Sequence, residues 1–95
     1  MAVYVDDAFM AGDWGRWTGG GHLQADSPEE LEAFARRLGL SRAWLQTRAG
    51  RPERAHYDLH GPGRTRAIEL GAVPESWRDG VRRRRAARLS GSAAP

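Results

Sequence analysis

The chain has 95 residues, 40% of them apolar and 28% charged, with a formal net charge of +3; that suffices for one small domain with a modest core. Its lack of Cys excludes disulfides and thiolate metal sites. No apolar run approaches the length of a membrane span or a signal-peptide core, so the expectation is a soluble, cytoplasmic protein with no membrane partner.

In chain order, "AVYV" alternates and predicts a short strand that ends in Asp6 and Asp7. "AFMAGDWGRWTGGG" has no period and reads as a long loop, a kind of segment that is usually functional or mobile. "HLQAD" is a second short strand. "SPEELEAFARRLGL" is the clearest element: Ser27 is the N-cap, Pro28 suits the first helical position, and Glu30 completes a capping box. Leu31, Phe34, Ala35 and Leu38 form one apolar stripe, and Gly39 ends the helix. Residues 43–47, "AWLQT", are expected to form a third strand, followed by a polar loop and the short extended piece "HYDL". A second helix starts near Pro62 and stops at Gly71, Ala72-Val73 offers a last strand, and "PESWRDGVRRRRAARL" gives a third helix before the frayed tail "SGSAAP".

Strands alternating with helices predict an α/β fold: a small single domain with a short, mostly parallel sheet of three to four strands, two packed helices and a C-terminal Arg-rich helix. The charge divides along the same line. Residues 1–77 carry nine Arg against eleven acids, a balance of −2, and form the domain. Residues 78–95 carry six Arg against Asp79, a balance of +5, and form a basic helix and tail. Arg82, Arg83, Arg84 and Arg85 could hold nucleic acid electrostatically, the reading of an accessory protein without catalysis. Four consecutive residues spread around about 300° of a helix, however, so no defined face is presented. All fifteen basic residues are Arg, which composition explains better than selection for phosphate contacts does.

The candidate chemistry lies in the short strands. Period two puts His22, Gln24 and Asp26 on one face of "HLQAD", and His56, Asp58 and His60 on one face of "HYDLH". Asp6 or Asp7 ends the first strand, and ligands of open α/β sheets bind outside strand carboxyl ends. His22, Asp26, His56 and Asp58 therefore make a candidate site. His nitrogen with Asp oxygen suits a divalent metal, or general acid–base work without one, and the ligand would be small or phosphorylated, with hydrolysis as the reaction. The bland alternatives stay open: Asp6 and Asp7 as a turn, His56 with Asp58 as a loop brace, His60 as the residue that leads into a helix, and Tyr57 as core. Nothing in the sequence sets the oligomeric state.

"VYVDD", "HLQAD", "ELEAFARRLGL", "HYDL" and "LGAVP", in this order, resemble the family known as domain of unknown function 4031, small bacterial and phage proteins. The resemblance spans roughly residues 2–75 and carries no activity with it. It implies that His22, Asp26, His56, Tyr57 and Asp58 occupy motif positions of the family. Members often carry His where this chain has Glu32, and a hydroxyl residue or Pro near His60.

Overall fold

A computed structural model describes residues 2–93, with side chains through residue 90. The four strands are β1 (Val3–Val5), β2 (Gly21–Ala25), β3 (Tyr57–Leu59) and β4 (Val73–Pro74). The three helices are α1 (Pro28–Arg37), α2 (Gly61–Glu69) and α3 (Trp77–Ala93). The strands form one sheet in the order β3-β2-β1-β4.

The sheet is mixed, and the expectation of mostly parallel pairing is corrected. β1 and β3 both pair antiparallel with β2, and only β1 with β4 is parallel. Chain travel explains this. Residues 6–20 join β1 to β2 through a loop with a single 3-10 turn at Gly15–Trp17 and no α-helix, so the chain turns back directly. After β2, α1 crosses the sheet once and residues 38–56 cross it again, so β3 enters from the end where β2 left. That second crossing contains the segment expected to be a strand at 43–47. It is instead a 3-10 turn at Arg42–Trp44 plus one bridge, Gln46 with His56. Only α2 acts as a simple crossover, which aligns β3, β1 and β4 against β2.

Alternation in the strands gives the sheet two different faces. Val5, Leu23, Tyr57 and Leu59 face α1 and α2, where Leu31, Phe34, Ala35 and Ala67 complete the core. Leu23 and Val5 are fully buried, each worth about 1.5–3 kcal/mol by burial of the side chain. α1 forms as its caps dictate. Ser27 Oγ accepts from the Glu30 N–H and donates to Glu30 Oε1, and Gly39 ends the helix at φ +76°.

The opposite face is polar and is partly covered by α3, which continues through "SGSA" where a frayed tail was expected; Ala94 and Pro95 lie outside the described residues. Asp7 Oδ1 accepts the Trp77 N–H at 2.7 Å and so anchors the start of α3. The inner side of α3 is held by two arginines. Arg83 lies over the Tyr4 ring, 3.7 Å from its centroid, and Arg84 Nη1 donates to Gln24 Oε1 at 2.7 Å.

The glycine run before β2 brings the strands together at one end. A Cβ on Gly20 would lie 1.7 Å from the Leu59 carbonyl oxygen, and one on Gly21 would lie 2.1 Å from that of Asp6. Only hydrogen fits in either place, and the polar cluster described next is built at this tight corner.

Candidate metal site on the polar face

Three strands contribute one row of side chains across the polar face. His22 of β2 is in register with Asp58 of β3. On the other side the Asp6 N–H donates to the His22 carbonyl at 3.1 Å, continuing the ladder one residue past β1. Two residues before Asp58, and so on the same face, His56 pairs with Gln46 through reciprocal backbone bonds of 2.9 and 3.0 Å.

Each imidazole is held through Nδ1. His22 Nδ1 lies 2.9 Å from Asp6 Oδ2, and His56 Nδ1 lies 2.9 Å from the Arg54 carbonyl oxygen. Asp6 is 1% exposed. Burial alone would raise its pKa, but bonds from the His22 ring and from the His22 and Ala8 N–H groups outweigh that and hold it below the ordinary aspartate range. An ionised carboxylate and a carbonyl oxygen only accept, so both Nδ1 atoms carry hydrogen. In the neutral rings the free lone pairs are therefore on Nε2.

Those two Nε2 atoms face one oxygen. Asp58 Oδ1 lies 3.7 Å from His22 Nε2 and 3.6 Å from His56 Nε2, beyond hydrogen-bond length. All three donor atoms lie within 4.8 Å of one another. Zinc ligands at roughly 2.0–2.1 Å in a tetrahedron stand roughly 3.3 Å apart, so Asp58 is already close to that spacing from each imidazole, and the 4.8 Å span of the set would have to contract around an ion. The other Asp58 oxygen, Oδ2, accepts from Gln46 Nε2 at 2.7 Å. About a quarter of each side chain is accessible, and the Phe9 ring packs edge-on against His22 at 5.0 Å. Asp58 also borders a groove of about 700 Å³ whose walls include Trp17, Trp44, Gln46 and His60.

The remaining candidates lie elsewhere. Asp26 shares a face with His22 but follows the far end of β2, four residues or about 13 Å along the strand. There its carboxylate accepts the Ala2 N–H at 2.7 Å and the Tyr4 hydroxyl at 2.9 Å. Antiparallel pairing is the reason: it sets His22 beside the end of β1 and sends Asp26 to the other edge. Tyr57 is 2% exposed in the core, on the face away from the cluster. His60 caps α2, its Nδ1 accepting the Gly63 N–H at 2.8 Å. Of the four consecutive arginines, Arg83 is half-buried and paired with Glu75 at 2.8 Å, and Arg84 is half-buried against Gln24. Arg82 and Arg85 are exposed, Arg82 lying 3.4 Å from Asp79.

Sequence reasoning missed Gln46 and the Arg54 carbonyl. The first was hidden by reading residues 43–47 as a strand; a backbone acceptor leaves no mark in a sequence.

No curated protein and no solved structure matches this chain. A family model does match, over residues 3–87, and the chain belongs to the family described as Protein of unknown function (DUF4031).

Proposed function

We propose that His22, His56 and Asp58 bind a divalent transition metal, and that the metal activates water for hydrolysis of a small ligand held beside the cluster. One observation carries this reading: two imidazoles held through Nδ1 place their Nε2 atoms 3.7 and 3.6 Å from one Asp58 oxygen, too far for hydrogen bonds. A cation satisfies all three at once. A carboxylate and a backbone carbonyl that hold imidazoles at Nδ1 are the usual outer partners of a metal site. Two nitrogens and one oxygen favour zinc, manganese, iron or cobalt over magnesium or calcium, which take oxygen ligands. Three protein ligands leave a position open for water, whose pKa a bound metal lowers toward neutrality.

Calorimetric titration of the full chain with zinc, manganese and magnesium tests the proposal. Zinc should bind one to one and more tightly than manganese, magnesium should bind weakly, and His56→Ala should remove zinc binding while circular dichroism stays unchanged. Absence of zinc and manganese binding by the wild type would refute it.

A further inference from the structure

Arg84 stands apart from the other inward-facing arginine. Arg83 is satisfied by both Glu75 oxygens, by Gln24 and by the face of Tyr4. Arg84 is half-buried too, yet among the described residues its guanidinium makes one hydrogen bond, to the neutral Gln24 amide, and has no carboxylate at ion-pair distance. Burial and the charge of neighbouring Arg83 lower its pKa; Arg54 adds to this, while Asp6 and Glu75, neither at ion-pair distance, act to raise it. A half-buried guanidinium with four of its five N–H groups unanswered by protein is positioned for an anion.

Its place on the fold says which anion. Gln24 follows His22 by two residues on the same face of β2, a strand repeat of about 6.7 Å. The Arg84 fork is therefore held one row from His22 and Asp58. The Arg54 carbonyl fixes His56, and the turn that carries it packs against α3, which ties the helix to the cluster. With a divalent ion bound, Asp6 and Asp58 balance the metal, and Arg84 is left with no carboxylate at ion-pair distance among the described residues. A guanidinium fork beside an open coordination position suits a phosphate, whose several oxygens can serve the metal and the fork together, better than a carboxylate.

We propose that the ligand of this site carries a phosphate group, one oxygen of which takes the metal's open position while Arg84 holds the others. The inference rests on the metal reading above and adds its substrate class. Arg84 is then a binding residue, and the inner side of α3 is part of the site.

Inorganic phosphate is the probe, titrated calorimetrically into the full chain with and without zinc. The variants are Arg84→Met, which keeps the apolar stem, Arg84→Lys, which keeps the charge without the fork, and Arg78→Met as an exposed control. Phosphate should bind the zinc-loaded protein and weaken about tenfold or more in Arg84→Met, that is by about 1.4 kcal/mol, with an intermediate loss in Arg84→Lys. Zinc affinity should not fall in any of the three, and phosphate affinity should not change in Arg78→Met. Equal phosphate affinity in wild type and Arg84→Met overturns the proposal, and acetate binding as tightly as phosphate overturns the choice of anion. If zinc does not bind, the metal reading fails separately. Metal-free protein then decides: phosphate binding that depends on Arg84 sustains the anion arm, and its absence overturns it. If Arg84→Met does not fold, the Arg84→Lys comparison decides.

Discussion

Replacing Asp6 by Asn changes almost no volume, yet it should disable the proposed metal site from behind. The carboxylate accepts from the His22 N–H at 2.8 Å, the Ala8 N–H at 3.0 Å and His22 Nδ1 at 2.9 Å. An amide oxygen can keep the two backbone donors, but as neutral rather than charge-assisted bonds, a difference of about 1 kcal/mol each. The third contact inverts. Asn Nδ2 is a donor, so Nδ1 of His22 must become the acceptor and the ring proton must move to Nε2. That removes the lone pair offered to the metal.

The expected cost is about 2 kcal/mol of stability in the metal-free protein, from the two weakened bonds. Zinc affinity should fall about 10- to 100-fold, as for loss of an outer partner. The stability difference should also depend on pH. Asp6 has a folded pKa below its unfolded value, so its contribution is complete above about pH 4 and is lost as the pH falls through the lowered folded value. Wild type and Asp6→Asn should therefore converge in acid. Urea unfolding of metal-free protein at pH 7 and near pH 3, zinc calorimetry, and the ring-nitrogen shifts of His22 by NMR read the three consequences. An Asp6→Asn protein that binds zinc as the wild type does, with its His22 proton still on Nδ1, would refute the reasoning.

Two further substitutions probe the scaffold. Leu23→Ala removes a fully buried side chain from the centre of the sheet and should cost about 2–5 kcal/mol in urea unfolding, a large part of the stability of so small a domain. Gly20→Ala would place a methyl group 1.7 Å from the Leu59 carbonyl oxygen, so β2 and β3 should separate at the corner that joins His22 to Asp58. Loss of amide hydrogen-exchange protection in Tyr57–Leu59, with zinc binding weakened, is the expected result. Full protection would show that the corner can yield without harm.

α1 was fully legible in the sequence, because a capping hydroxyl, a proline at the first position, a 3.6-residue apolar stripe and a terminal glycine all act within 14 residues. Period two likewise put His56 with Asp58 on one strand face and separated them from Tyr57 and Leu59. That reasoning stops at the edge of a strand. It set His22 and Asp26 on a common face, which they share, but alternation says nothing about which neighbouring strand stands opposite. Strand direction settled that, and direction follows from how often the intervening chain crosses the sheet. The antiparallel return of β1 to β2 put Asp6 beside His22 and left Asp26 with Tyr4. The double crossing before β3 brought Asp58 against His22 and delivered Gln46 to both His56 and Asp58. The four arginines show the same division. Their sequence spread them around α3, and only docking of that helix on the polar face turned Arg83 and Arg84 inward. Local bonding rules act over one turn or one strand, so α1 and the two faces of the short strands could be read from the sequence, whereas the 43–47 segment, whose form depends on its path across the sheet, could not. Which side chains meet across the sheet was decided by tertiary structure, through the path of the chain between them.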